Sequence, residues 1–129
     1  MSDRKLKILI ADDEPLMRGL LCSYLVEECK YEVYKASDGK EALQLYVQYR
    51  EELDMIFLDI EMPKVNGLRV LKEIHTLDPN AYVVIVSGVG NLDNVKAAIA
   101  AGVNGFIVKP FTNNKIAEAI GNYLKRKKP

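Results

Sequence analysis

Side chains suited to phosphate chemistry occur at four places in this chain, each at or just past the end of an apolar run. They are Asp12 and Asp13, Asp59, Ser87 and Lys109. In a parallel sheet, side chains at the carboxyl ends of neighbouring strands converge on one crevice, where open α/β folds bind ligands. Three carboxylates, a hydroxyl and an ammonium group are therefore expected to meet at one edge of a sheet. This combination suits a divalent cation and a phosphoryl group.

The charges of this group indicate what it binds. Carboxylates as close as Asp12, Asp13 and Asp59 would repel one another unless one kept a proton or a cation neutralised them. Oxygen ligands with room for water favour Mg²⁺. Asp59 follows the predicted central strand and is the candidate nucleophile, since carboxylates can form aspartyl phosphates. Lys109, two strands away, is long enough to reach a phosphoryl oxygen on Asp59, and Ser87 on the intervening strand can donate to another.

The segments between these residues alternate between short apolar runs and patterns of helical period. Strands are predicted at residues 5–12, 32–36, 54–59, 81–87 and 105–109. Helices are predicted to begin near residues 15, 37, 67, 92 and 112, the last running to about residue 126. Continuous apolar strands indicate burial on both faces. The fold class is therefore α/β, a flavodoxin-like, doubly wound, five-stranded parallel sheet of order 2-1-3-4-5 with helices on both faces.

Apolar spacing assigns an inward face to the first and last helices. In the first helix that face holds Met17, Leu20, Leu21, Tyr24 and Leu25. In the last helix it holds Ile116, Ile120 and Leu124. Ser37 and Asp38 offer N-cap oxygens to the second helix, and Gly102 lies near the C-cap of the fourth.

Length, charge and cysteine spacing limit the classes of function. The 129 residues fit one domain, 1–129, with a core at about 5–124 and a basic tail at 125–129. With 18 basic and 18 acidic residues, no overall basic field favours nucleic acid or membrane surfaces. Cys22 and Cys29 would lie about 10 Å apart along a helix, beyond disulfide reach. Free thiols, no signal peptide and no run of transmembrane length predict a cytoplasmic protein.

Four motifs resemble the receiver domain of two-component response regulators. They are residues 10–14 (Ile-Ala-Asp-Asp-Glu), 57–63 (Phe-Leu-Asp-Ile-Glu-Met-Pro) with Gly67, 86–88 (Val-Ser-Gly) and 108–111 (Val-Lys-Pro-Phe). One such motif would be weak, but four in this order at these spacings are specific. The resemblance extends from about residue 5 to residue 124 and is to single-domain receivers of the chemotaxis-regulator kind.

The resemblance implies a role for each acidic residue. Asp59 would accept a phosphoryl group from a sensor histidine kinase or a histidine phosphotransfer protein. The side chains of Asp13 and Asp59 would bind Mg²⁺ directly, and Asp12 mostly through water. Glu61 would contribute its backbone carbonyl to the same ion.

The resemblance also implies how phosphorylation is read. Ser87 and Lys109 would hold the phosphoryl oxygens, and Lys109–Pro110 would be a cis peptide bond. Ser87 and Phe106 would form the switch, in which the hydroxyl moves to the phosphate and the ring turns into the space left behind. Phe106 replaces the commoner tyrosine and Ser87 the frequent threonine. The two positions of this ring would therefore differ mainly in packing.

The predicted function is a phosphorylation-activated signalling switch that catalyses only its own phosphotransfer and dephosphorylation. Because the chain ends soon after its last helix, we expect no output domain. The output would be a protein partner bound on the fourth helix, fifth strand and fifth helix (residues 92–124), or relay onward to a histidine phosphotransfer protein. We expect a monomer or a phosphorylation-dependent dimer.

Several alternatives compete with this interpretation. A phosphatase of the haloacid dehalogenase type also pairs a strand-end Asp with Lys and Mg²⁺, but it requires a second Asp where this chain has Glu61. An adaptor with the receiver fold that never carries phosphate is a second alternative, which Phe106 favours. A receiver fragment of a longer regulator is a third. The acidic run at residues 12–14 also has a plainer interpretation, as negative charge at a helix N-terminus.

Overall fold

A parallel sheet covered by helices on both faces forms the part of the chain that the structure, a computed structural model, describes: residues 5–88 and 92–127. The strands are β1 (Lys7–Ala11), β2 (Glu32–Ala36), β3 (Met55–Leu58), β4 (Val83–Gly88) and β5 (Gly105–Lys109). The helices are α1 (Pro15–Ser23), α2 (Gly39–Tyr49), α3 (Gly67–Leu77), α4 (Leu92–Ala100) and α5 (Asn113–Lys127). A π-helical turn, Tyr24–Glu28, continues α1. All strand pairs are parallel and the order is β2-β1-β3-β4-β5, which confirms the predicted fold class.

Two hydrophobic layers hold the sheet between its helices. Alternate residues of β1, β3 and β4 face opposite sides, so Leu9 and Ile85 lie in the layer beneath α2, α3 and α4. Ile8 and Phe57 lie in the layer beneath α1 and α5. Each fully buried side chain of this size contributes roughly 1.5–3 kcal/mol of transfer free energy. Because the central strands are buried on both faces, they are rigid and hold the residues that follow their carboxyl ends in fixed positions.

Strand register places the candidate site. Ala11 of β1 pairs with Leu58 of β3, so Asp12 and Asp59, the next residues in each strand, emerge side by side. The Asp59 N–H donates to the Ala11 carbonyl at 2.8 Å, which extends the ladder to the acidic residue. Ser87 pairs with Val108 immediately before Lys109. The site therefore lies along one edge of the sheet.

The inward face of α5 differs from its predicted composition. Ile116 and Ile120 are buried as predicted, but Leu124 is 43% exposed and the prediction of its burial was wrong. Tyr123 is buried instead, because its ring packs edge-on against Tyr82 with centroids 5.0 Å apart. In α1 the corresponding exception is Leu20, which is exposed beside the buried Leu21.

Both predicted helix-end signals are present. The Asp38 carboxylate accepts from the Glu41 N–H at 2.8 Å, and the Glu41 carboxylate accepts from the Ser37 N–H at 2.8 Å. Asp38 is thus the N-cap of α2, and Glu41 in the first turn holds the residue that precedes the cap. Gly102, with φ of 86°, follows α4 in the left-handed conformation that glycine adopts at helix ends.

Cys22 and Cys29 are free, half-buried thiols, as their spacing predicts. In the described ranges no helix combines the length and the apolar character needed to cross a membrane. The last two residues of the predicted basic tail, 128 and 129, lie outside the described residues.

The loop between β3 and α3 packs tightly on its surroundings. A Cβ atom built on Gly39, at the start of α2, would lie 1.6 Å from the Val65 carbonyl oxygen. At the start of α3, two residues after Val65, the Gly67 N–H donates to the Ile60 carbonyl at 2.7 Å. A Cβ atom on Gly67 would lie 2.1 Å from the carbonyl oxygen of Asp59. These two close backbone approaches fix the loop that carries Asp59.

We expect Gly39→Ala to lower the free energy of unfolding by about 1–3 kcal/mol, because the added methyl group meets backbone atoms rather than a flexible side chain. Gly121→Ala in α5 is the matched control. It meets no atom within 4 Å, and it should raise stability by up to about 1 kcal/mol through helix propensity. Urea unfolding of both variants makes the comparison. Equal stabilities would show that the loop yields without cost.

Candidate functional site

The carboxyl edge of the sheet opens into a crevice of about 560 Å³. Elements from across the chain line it: the β1–α1 loop, the end of β3 with its following loop, and the ends of β4 and β5. The lining residues are Asp13, Glu14, Met17, Asp59, Glu61, Gly88, Lys109 and Pro110. The Lys109–Pro110 peptide bond is cis.

The ammonium group of Lys109 lies among three carboxylates. Its Nζ is 3.0 Å from Asp12 Oδ2 and 3.1 Å from Asp59 Oδ2, and it also contacts Glu14 Oε1. Burial alone lowers the pKa of Lys109, but its hydrogen bonds to Glu14 and Asp12 and the charge of Asp59 outweigh this and raise that pKa overall. Lys109 therefore remains charged at physiological pH and neutralises part of the acidic crevice.

Asp12 shapes the loop that follows β1. Its Oδ1 accepts from the Glu14 N–H at 2.9 Å. The guanidinium of Arg18, one turn into α1, donates to the Asp12 carbonyl at 2.7 Å. Asp12 is itself buried. Its backbone and side chain are therefore both held, and they direct the loop back over the sheet edge.

Asp59 is a buried carboxylate whose pKa is raised above its ordinary value. Its Oδ1 accepts from the Glu61 N–H at 3.3 Å, and its Oδ2 accepts from Lys109. Burial raises the pKa of Asp59 to about 6, with the charge of Asp12 acting in the same direction and Lys109 and the Glu61 N–H opposing it. At neutral pH the group is thus ionised at a cost in free energy, which a bound cation would relieve.

Ser87 supplies a hydroxyl without a hydrogen-bond partner. Its side chain is fully buried, and across the described parts of the chain its Oγ has no hydrogen bond. Buried hydroxyls are usually satisfied, so this one is free to donate to a new acceptor. Ser87 is not among the residues that line the crevice, although Gly88, the next residue, is. Phe106 pairs with Ile85, two residues before Ser87, and packs half-buried against the same hydrophobic layer. The residues predicted as a switch are thus neighbours on one face of the sheet.

The structure brings together most of the predicted residues, but the clustered carboxylates include Glu14 in place of the predicted Asp13. The carboxylate oxygens that lie within 4.8 Å of one another belong to Asp12, Glu14 and Asp59. Asp13 and Glu61 are both exposed and both border the crevice. Glu14 was not predicted as a site residue. The signal for it was its place in the acidic run of residues 12–14, which helix-end charge explained equally well.

The acidic residues fit Mg²⁺. The clustered side-chain donors are all carboxylate oxygens, and several waters and a phosphate oxygen have room in the crevice, as this ion prefers. Residues 12, 13, 14 and 59 carry four carboxylates, and their negative charge exceeds the single positive charge of Lys109. A further cation is therefore compatible with the charge of the crevice.

Sheet order, helical layers and an acidic crevice with a buried lysine define a doubly wound α/β protein of the flavodoxin-like class. Residues 8–121 match the family model described as response regulator receiver domain. The chain therefore belongs to the response regulator receiver family, as its four motifs predicted.

Similar proteins of known identity support the assignment. The chemotaxis protein CheY of Thermotoga maritima is 38% identical, over 92% of this chain and 98% of that protein. A receiver domain protein from Clostridium thermocellum superimposes with a TM-score of 0.87 at 34% identity, covering 95% of this chain and 96% of that one. CheY in a CheX–CheY–BeF₃–Mg²⁺ complex from Borrelia burgdorferi superimposes with a TM-score of 0.85 at 31% identity, covering 92% and 89%. CheY-like receivers are signalling switches rather than conventional enzymes, which excludes the dehalogenase-type alternative.

We expect Asp59→Asn to stabilise the fold in metal-free solution. The pKa of Asp59 is about 6 when folded and about 3.9 when unfolded. Between these values the folded state keeps a proton that the unfolded state releases, so wild-type stability falls as the pH rises through this window. The variant should melt roughly 5 °C higher at about pH 7.5, and the difference should shrink toward about pH 4.5.

Thermal unfolding followed by circular dichroism measures this difference. Asp93→Asn, which removes an exposed carboxylate from the first turn of α4, is the control and should not raise the melting temperature. A stabilisation by Asp59→Asn that grows on acidification would contradict the raised pKa.

Proposed function

We propose that this chain is a phosphorylation-operated switch, a receiver domain spanning residues 1–129, in which Asp59 accepts a phosphoryl group from a phosphohistidine donor. The observation that carries the proposal is the pairing of buried Asp59 with the ammonium of Lys109, 3.1 Å away, at the mouth of the crevice. Asp59 lines the crevice, through which a donor can approach it. A cation already lies where charge on a transferred phosphoryl group would develop.

In the proposed transfer an Asp59 carboxylate oxygen forms a bond to phosphorus while the phosphorus–nitrogen bond of the phosphohistidine breaks. The imidazole nitrogen leaves with the bonding electron pair and takes a proton from solvent. The product is an acyl phosphate on Asp59. Because its pKa is about 6, Asp59 is ionised and nucleophilic at neutral pH.

Stabilisation of the transferred group is assigned to Lys109, which contacts Asp59, and to Ser87 near the end of the neighbouring strand β4. Lys109 neutralises one phosphoryl oxygen, and the Ser87 hydroxyl, which has no other hydrogen bond in the described chain, donates to another. In-line transfer of this kind requires mainly positioning and charge neutralisation. The backbones of β4 and β5 already hold both residues at the sheet edge, so only their side chains would have to move.

Mg²⁺ is the proposed cofactor. Asp13 and Asp59 would hold it by their side chains, Asp12 mostly through water, and Glu61 by its backbone carbonyl. When bound, the ion would neutralise the phosphoryl oxygens opposite Lys109. The buried carboxylates of Asp12 and Asp59, side by side at the sheet edge, support an ion at this place.

The proposed output is a change of the surface formed by α4, β5 and α5. Movement of the Ser87 hydroxyl toward a phosphoryl oxygen would free space for the Phe106 ring on the same face of the sheet. Ile99, Val108 and Leu124 are exposed apolar residues on this surface, one from each element. Exposed apolar groups of this kind suit a protein partner. The related CheY that was crystallised with CheX is consistent with an output through another protein, and a kinase or phosphotransfer protein would be the donor.

Acetyl phosphate with Mg²⁺ should add one phosphoryl group to the wild type and none to Asp59→Asn, because the amide is a poor nucleophile. Intact-mass spectrometry under conditions that retain acyl phosphates measures the adduct, with Mg²⁺-free protein as the control. Stoichiometric labelling of the variant would overturn the acceptor assignment. No adduct on the wild type would favour the phosphate-independent adaptor.

Lys109→Ala should bind Mg²⁺ roughly tenfold more tightly, because it removes a positive charge from among the carboxylates. The same variant should lose the response of the α4, β5 and α5 surface to beryllium fluoride. Magnesium titration and amide NMR spectra measure the two effects. Lys72→Ala, which removes an exposed lysine of α3, is the control. An unchanged surface response in Lys109→Ala would show that the lysine only supports the fold.

A further inference from the structure

Glu14 is placed at the start of α1 but does not serve that helix. It is the N-cap residue, and its side chain makes no capping hydrogen bond. Pro15 at the first helical position removes one of the N–H groups that a cap would satisfy. The Glu14 carboxylate reaches across the crevice to Lys109 on β5 instead. An N-cap carboxylate that leaves its own helix for a cation on a distant strand indicates a role in the crevice.

The contact with Glu14 completes the hydrogen bonding of Lys109. An ammonium group has three N–H donors. Those of Lys109 are matched by carboxylate oxygens of Asp12, Asp59 and Glu14. A phosphoryl oxygen that approached Lys109 would therefore have to replace one of these three acceptors.

Burial decides which acceptor is replaced. The side chains of Asp12 and Asp59 are only 5% and 6% exposed, and the Asp12 carboxylate is also held by the Glu14 N–H. The Glu14 side chain is 57% exposed. It is also the longest of the three, so it can turn into water at little desolvation cost, whereas a displaced Asp12 would stay buried without a partner.

We propose that Glu14 is a displaceable counter-ion of Lys109, which occupies the position of a phosphoryl oxygen until phosphorylation and is then expelled into solvent. This role deepens the proposed function and rests on it. Glu14 is a positioning residue here, since it acts through Lys109 and does not bind Mg²⁺. Its contact makes phosphorylation less favourable, because each phosphoryl group must first break it.

Beryllium fluoride, a non-covalent phosphoryl mimic, tests the proposal at saturating Mg²⁺. Glu14→Ala should bind it roughly two- to fivefold more tightly than the wild type, the range for a partly exposed ion pair. Glu14→Gln, which keeps a weaker neutral acceptor, should lie between them. Glu27→Gln removes an exposed carboxylate from the adjoining π-helical turn and should bind like the wild type. Amide NMR titration measures these affinities.

Two further measurements distinguish the counter-ion role of Glu14 from a role as metal ligand or as helix cap. Magnesium affinity in the absence of beryllium fluoride should fall only modestly in Glu14→Ala, roughly two- to fivefold, because one partly exposed negative charge is lost, and a much larger loss would make Glu14 a metal ligand and overturn the proposal. The melting temperature should also change little, because no helix cap is lost. Equal beryllium fluoride affinities in wild type and Glu14→Ala would overturn the counter-ion role while leaving the switch intact. Failure of the wild type to bind at all would instead refute the proposed function.

Discussion

Repulsion between the buried carboxylates at the carboxyl edge of the sheet is the constraint on which the site depends. Register places Asp12 and Asp59 side by side, and neither can turn into water. The fold therefore has to bring a cation to them, and the ammonium of Lys109 does so from the far side of β4. The raised pKa of Asp59 shows that one ammonium compensates this arrangement only in part. The crevice consequently keeps an excess of negative charge, which further positive charge would neutralise.

The rigid strands and loop around the crevice keep the repelling carboxylates close together. The central strands are buried on both faces, and the loop that carries Asp59 is locked by the close backbone approaches at Gly39 and Gly67. Since these parts cannot relax to separate the charges, adjustment falls to side chains with freedom to move. Glu14 is exposed at one end of the crevice, and the Ser87 hydroxyl has no other hydrogen bond within the described residues. The proposed switch requires this division, because phosphorylation of Asp59 would have to become a change of packing elsewhere.

Phe106 lies between the crevice and the surface proposed for output, formed by α4, β5 and α5. It packs against the same hydrophobic layer as Ile85 and lies two residues along β5 from Val108. Without the phenolic hydroxyl of a tyrosine, its position is decided by apolar packing alone. The surface it adjoins exposes Ile99, Val108 and Leu124, so movement of one ring can alter an apolar contact area. The signal is thus proposed to pass from charge at the crevice to packing at the surface.

The sequence by itself determined the architecture and most of the site. Continuous apolar runs indicate strands buried on both faces, and alternation with helical patterns leaves few topologies, so Asp12, Asp59, Ser87 and Lys109 could be assigned to one edge. Tertiary structure decided the rotation of each helix against the sheet, which is why Tyr123 is buried and Leu124 is not.

Tertiary structure also decided that Glu14, rather than Asp13, contacts Lys109. The turn that directs it depends on hydrogen bonds made by Asp12 and Arg18, and the cation it meets is 95 residues away. The spacing of apolar residues predicts whether a segment is a helix or a strand and which of its faces can be buried. The direction of a loop side chain depends instead on contacts between segments distant in sequence, which exist only once the chain has folded.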